Sequence, residues 1–145
     1  MIFLGQGGLC YVNYQYGQYY EGVGRRKNSV ARVRVSAGTG VFTVNDKQVA
    51  EYFTRFGDVE AILGPFVAIN QDQSGYDISV HVNGGGVTGQ TDAVKLGLAR
   101  ALVKMDENLK PDLHHAGLLS RDARIKERKK PGLKRARKAP TYTKR

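Results

Sequence analysis

Charge in this chain is piled at one end, and that confines folding to the rest. From Gly117 to Arg145, twelve Lys or Arg stand against only Asp122 and Glu127, which accounts for the whole formal charge of +10, while residues 1–116 hold eleven of each sign. A like-charged run of this density repels itself and has too few apolar residues to bury. It gains free energy by lying along a polyanion, where each neutralised phosphate releases condensed counterions. Any core must therefore come from the neutral part, and the tail points to nucleic acid.

The chain has 145 residues, 41% of them apolar, so one globular domain of roughly 95 residues closes a modest core between two unusual ends. No run approaches the ~18 apolar residues of a membrane span, and the first dozen positions have neither the basic start nor the apolar stretch of a signal peptide. The expectation is a cytoplasmic protein without a membrane partner. Cys10 is the single cysteine and the histidines are His81, His114 and His115, which make neither an internal disulfide nor a recognisable zinc set.

Three pieces follow: an uncharged leader over 1–18, a body over 19–119 and a basic segment over 120–145. The leader is rich in Gly, Tyr, Gln and Asn, a composition without the means to build a core. Its tyrosines either stack on bases or form a bare extension. The body opens as β structure. Val33 and Val35 alternate with Arg32 and Arg34, so one strand face is core and the other basic. Ala37–Gly40 is a turn, and Val41–Val44 follows as the second arm of a hairpin, closed by Asn45-Asp46. Gln48–Phe53 reads as a short helix, and Val59–Ile69, interrupted by Gly64-Pro65, as a short helix running into a strand. Tyr76, Ile78, Val80 and Val82 alternate with polar residues in a further strand, where His81 serves packing or hydrogen bonding rather than catalysis.

The loop from Asn83 to Thr91 then leads to a helix over about Asp92–Met105, with Thr91 as N-cap and Asp92 at the positive end of the dipole. Gly84–Thr91 nearly spells G-x-x-x-x-G-K-[ST], but Gln90 stands where a lysine must reach the β- and γ-phosphates. The sequence therefore argues against a nucleotide hydrolase. The glycines either let backbone N–H groups approach a phosphate of RNA or only permit a tight turn. In the basic segment, Ser120 caps and Asp122 with Lys126 supports a short helix to about Lys130. Pro131-Gly132 stops it, and the rest is extended.

Gly24-Arg25-Arg26-Lys27, the loop from Asn83 to Gln90, Ala116–Arg124, Glu127–Lys130 and the closing Lys144-Arg145 together resemble bacterial-type ribosomal protein S-nine, from about Tyr19 to the last residue. The resemblance implies an α+β body, a four-stranded sheet with packed helices of the type shared with the second domain of ribosomal protein S-five, plus a long basic extended tail. It implies a non-enzymatic constituent of the head of the small ribosomal subunit, without cofactor, metal or small-molecule substrate. Its partners would be small-subunit rRNA, neighbouring head proteins and the anticodon stem-loop of peptidyl-site tRNA. On that resemblance Arg25, Arg26, Lys27, Arg121, Arg124, Arg128, Lys129, Lys130, Lys134, Arg135, Arg137 and Lys138 line rRNA, and Lys144 and Arg145 touch tRNA. Asn28, His114 and His115 depart from the family pattern: no contact is carried over for Asn28, and at His114 and His115 an rRNA contact is either conditional on pH or absent. The alternative is a free-standing, sequence-nonspecific RNA-binding protein.

Overall fold

The computed structural model describes residues 18–142 and 144, so all of the leader but Gln18, together with Thr143 and Arg145, lies outside the described residues. Five strands form one mixed sheet: β1 (Tyr20–Arg26), β2 (Ser29–Ala37), β3 (Phe42–Val44), β4 (Lys47–Gln48) and β5 (Tyr76–Asn83), in the order β1-β2-β5-β3-β4. β1, β2 and β5 are antiparallel, β3 runs parallel to β5, and β4 returns beside β3. The helices are α1 (Val49–Tyr52), α2 (Asp58–Ala68), α3 (Val87–Met105) and α4 (Lys110–His115).

The expected alternation holds. Ala31, Val33 and Val35 of β2 and Ile78, Val80 and Val82 of β5 are buried against the helices, joined by Val94, Leu98 and Leu102 of α3 and by Ile62 and Phe66 of α2. α3 crosses β1 and β2 at very close range, because Gly22 and Gly24 leave no side chain in its way. A Cβ on Gly24 would fall on the Ala93 carbonyl oxygen, and one on Gly22 on that of Gly97. Among the described residues no helix lies over the opposite face of the sheet, and Val23, Arg25, Val30, Arg32, His81 and Asn83 are exposed there.

Several expectations are corrected. The sheet has five strands, not four, because Asn45 (φ 46°) and Asp46 (φ 65°) both take the left-handed conformation of a primed two-residue turn and fold Lys47–Gln48 back on β3. The expected hairpin between the first two valine-rich strands does not form, since β5 lies between them. Alternation identifies a buried face but not a partner. Asp77 of β5 settles the route, its Oδ1 accepting from the backbone N–H of Thr39 at 2.8 Å and of Val41 at 3.0 Å. The actual hairpin joins β1 to β2 through Lys27 (φ 52°) and Asn28. Residues 58–68 are one helix, with Pro65 inside. α3 begins at Val87, five residues before the expected start, with Gly86 rather than Thr91 as N-cap.

Candidate nucleic-acid interface

The β1–β2 hairpin carries Arg25, Arg26 and Lys27, and the period of two sends neighbouring side chains to opposite faces. Arg25 therefore lies on the open face, whereas Arg26 turns toward α3. Its side chain is only 15% exposed, with Nε 3.4 Å from Asp92 of α3 and Nη1 2.8 Å from Asp122. The same Nη1 donates to the Asp122 carbonyl at 3.2 Å and to the Arg124 carbonyl at 3.4 Å. Arg26, expected among the RNA contacts, is thus a clasp that holds the first residues of the tail against the body. Arg124 completes it, binding the Asp122 carboxylate through Nε at 3.0 Å and Nη2 at 2.7 Å. Hydrogen bonds from the Arg124 side chain and backbone, helped by the nearby Arg26 charge, hold the Asp122 carboxyl well below the usual carboxylate range and raise the Arg124 guanidinium.

The approach to the clasp is also built. α4 ends on Gly117 (φ 70°), with Gly117 N–H donating to the His114 carbonyl at 2.9 Å and Leu118 N–H to the Leu113 carbonyl at 3.0 Å. These two bonds make a Schellman motif, which satisfies helix-end carbonyls and reverses the chain. Leu118 and Leu119 then pack on the core, and Ser120 emerges beside the hairpin. His114 and His115 are exposed at the C-terminal end of α4.

The glycine turn joins the sheet to α3 beside this construction. Only Gly84–Gly86 separate β5 from α3, and Gly84 (φ 74°) and Gly85 (φ 68°) are left-handed. Gln90 is helical and engaged at both ends of its amide: Nε2 donates to the Gly84 carbonyl at 3.1 Å, and Oε1 accepts from Tyr52 Oη at 3.1 Å. Asn45 Nδ2 extends the chain to Tyr52 Oη at 3.4 Å. Thr91 is buried and donates to the Val87 carbonyl within the helix at 3.0 Å. At the start of α3, Arg55 donates to Thr88 Oγ1 at 2.9 Å while it binds Asp58 Oδ1 at 2.6 Å. This cation was not singled out from the sequence, because only the fold brings residue 55 to residue 88.

Beyond the clasp, the short helix expected from Ser120 to Lys130 is not formed. One i, i+4 pair contributes only a few tenths of a kcal/mol against a costly helix nucleus, and the Asp122 carboxylate is already bound by Arg26 and Arg124. Glu127, the other acid of the tail, binds Lys130 Nζ at 2.9 Å and Arg137 Nε at 2.8 Å. Those bonds, Lys130 first, depress its carboxyl. Among the described residues Arg121, Lys126, Arg128, Lys129, Lys134, Arg135, Lys138 and Lys144 have no carboxylate partner. Exposed cations without counter-charges suit phosphate neutralisation, which positions a protein on RNA without reading sequence.

Of the expected site residues, the fold brings Arg26 onto Asp122 and the Arg124 carbonyl at the root of the tail, with Arg25 and Lys27 beside it on the hairpin but Arg25 on the opposite face. It leaves the cations from Arg128 to Lys138, and Lys144, along an exposed strand of chain; Arg145 lies outside the described residues. Arg32, expected on the basic face of its strand, is exposed beside Arg25 on the open face of the sheet. Among the described residues no three His, Cys, Asp or Glu side chains gather as metal ligands, and no helix is long and apolar enough to cross a membrane. A family model described as "Ribosomal protein S9/S16" matches residues 24–145. That match takes in the hairpin, the glycine turn, the clasp and the tail together, and the chain therefore belongs to the ribosomal protein S9/S16 family, structural rather than enzymatic proteins of the small ribosomal subunit that bind its RNA.

Proposed function

We propose that this is a bacterial-type member of the family, seated in the head of the small subunit in the cytoplasm, whose body positions a tail that ends on peptidyl-site tRNA. The observation that carries the reading is the root of the tail. The Arg26–Asp122 clasp and the Gly117 reversal anchor to a nearly neutral body the root of a segment whose cations mostly have no carboxylate partner among the described residues. Fully extended, the residues from Pro131 onward reach on the order of 50 Å at ~3.3 Å each, against a radius of gyration of ~13 Å for a body of this size. A tail of that reach suits a large particle, where the tip meets something remote from the docking site of the body.

Within this reading Arg25, Lys27, Arg121, Arg128, Lys129, Lys134, Arg135 and Lys138 line rRNA, with Arg124, Lys130 and Arg137 contributing charge beside their carboxylates. Lys144 and Arg145 neutralise phosphates of the tRNA anticodon stem-loop. The test is deletion of these last two residues. The expected outcome is normal incorporation into small subunits, judged by sedimentation, with weaker tRNA binding at the peptidyl site of the purified particles. Unchanged tRNA affinity would refute the tip contact, and sedimentation of the intact protein apart from small subunits would refute the placement.

A further inference from the structure

The open face of the sheet carries a pattern that solvation and packing leave unexplained. In register, Val23, Arg32 and His81 make one row across β1, β2 and β5, and Arg25, Val30 and Asn83 make the next. Valine and arginine alternate both along the strands and across the ladder, so each aliphatic side chain is flanked by guanidinium. Val23 is 38% and Val30 40% exposed, on a face that no helix covers. Arg25 and Arg32 have no carboxylate partner among the described residues. Charge is balanced only at the far end of the face, where Glu21 binds Arg34 at 2.9 Å and Asp77 caps the turn before β3. The two rows line an open depression of about 660 Å³, within the ~300–1,000 Å³ typical of ligand sites.

We infer that this depression holds an unstacked nucleotide of the bound RNA. The inference rests on the RNA-binding reading above and names the form of RNA that this face takes. A duplex shows a protein its phosphates and 2′-hydroxyls and keeps its base faces stacked, so Val23 and Val30 would gain nothing from it. An unstacked base offers a flat apolar face for the two valines to cover and for the Arg32 guanidinium, at the centre of the grid, to stack on. Arg25 stands diagonal to Arg32, ~7–8 Å away by the geometry of a ladder, where it meets a flanking phosphate. The Asn83 amide supplies a donor and an acceptor for a base edge. An acidic peptide would satisfy the guanidiniums but leave the valines and the amide unused.

The test uses the full-length chain with isotope-labelled valine methyl groups, titrated separately with a short single-stranded oligoribonucleotide, an RNA duplex and a glutamate-rich peptide. Upfield ring-current shifts of the Val23 and Val30 methyls with the single strand alone are expected. The double variant Val23→Ser, Val30→Ser should bind the single strand about tenfold more weakly and the duplex as before. Arg25→Gln should lower the slope of log affinity against log salt by about 0.7, the value for one phosphate of a single strand. Methyls that stay still while tail amides respond would overturn the inference and leave RNA binding intact. No response anywhere would remove the RNA-binding reading as well. Equal shifts with duplex, or shifts with the peptide alone, would overturn the inference in favour of a shape-reading or a protein-binding face.

Discussion

Gly24 shows how much one missing methyl group decides. Its backbone lies against Ala93 and Gly97 of α3, so a Cβ there would collide with main chain, which cannot rotate away. Gly24→Ala should destabilise the body by about 1–3 kcal/mol, the usual range for overpacking, and lower the midpoint of urea unfolding. Gly64→Ala is the control, because a Cβ at Gly64 meets nothing within 4 Å. Asp122 gives a pH test at the same scale. Its folded carboxyl titrates below the usual ~3.9, so the clasp is fully present above that value and is lost as pH falls toward the depressed one. Following the Asp122 carboxyl by NMR, the tail root should stay bound through pH 4 and release at lower pH. Release near the unperturbed value would mean that Arg124 and Arg26 do not hold it. Glu127 should follow with the same sign, as Lys130 and Arg137 depress it too.

At the scale of elements, the informative join is where β3 ends beside β5. Asn45 takes over the ladder with its side chain, Oδ1 accepting from Val82 N–H at 2.9 Å and Nδ2 donating to the Val82 carbonyl at 3.0 Å. Asn45→Ala leaves both backbone groups of a buried residue unpaired and keeps a left-handed φ that alanine resists. A loss of about 2–3 kcal/mol is expected, read as a drop in thermal midpoint. Asn45→Gly removes the hydrogen bonds but not the conformational freedom, so it should lose less; an equal loss would mean that strain plays no part. The strand of Tyr76–Asn83 and the valine strand before it were legible because alternation is a local property of six or eight residues. The first strand was not, since its buried positions Gly22 and Gly24 are glycines while its valine, Val23, faces outward between Glu21 and Arg25, leaving no inward apolar alternation to read. The start of α3 was missed for a related reason. Val87 and Thr88 precede the apolar stripe, and this first turn is braced from outside the helix, by Arg55 donating to Thr88 and by Tyr52 donating to the Gln90 amide, partners more than 30 residues away in the sequence.

For the whole molecule, the division of labour between body and tail is electrostatic. The hydrophobic core runs from Ala31 to Leu113, with Leu118 and Leu119 packed against it, whereas the net charge lies beyond them. Truncation after Leu119 should leave a body that still unfolds cooperatively, with a loss on the order of 1–3 kcal/mol as the largely buried Arg26 gives up Asp122 and keeps Asp92. RNA affinity at physiological salt should collapse, and the slope of log affinity against log salt should shrink by roughly 0.7–0.9 for each phosphate contact removed. A truncated body that keeps most of the affinity and slope of the full chain would move the principal interface from the tail to the hairpin and sheet face.

The sequence by itself determined that a basic tail follows a neutral body, that β2 and β5 bury one face each, and that a glycine turn precedes a long helix. Charge, alternation and left-handed turns are properties of residues close together, and they read the same in any fold. Only the tertiary structure decided which strands pair, that α3 lies close enough to require Gly22 and Gly24, that Gln90 braces a turn, and that Arg26 holds the tail. Each of these joins distant parts of the chain, 96 residues apart in the case of Arg26 and Asp122. Such contacts exist only once the core has brought both partners to one place, and no local pattern encodes them.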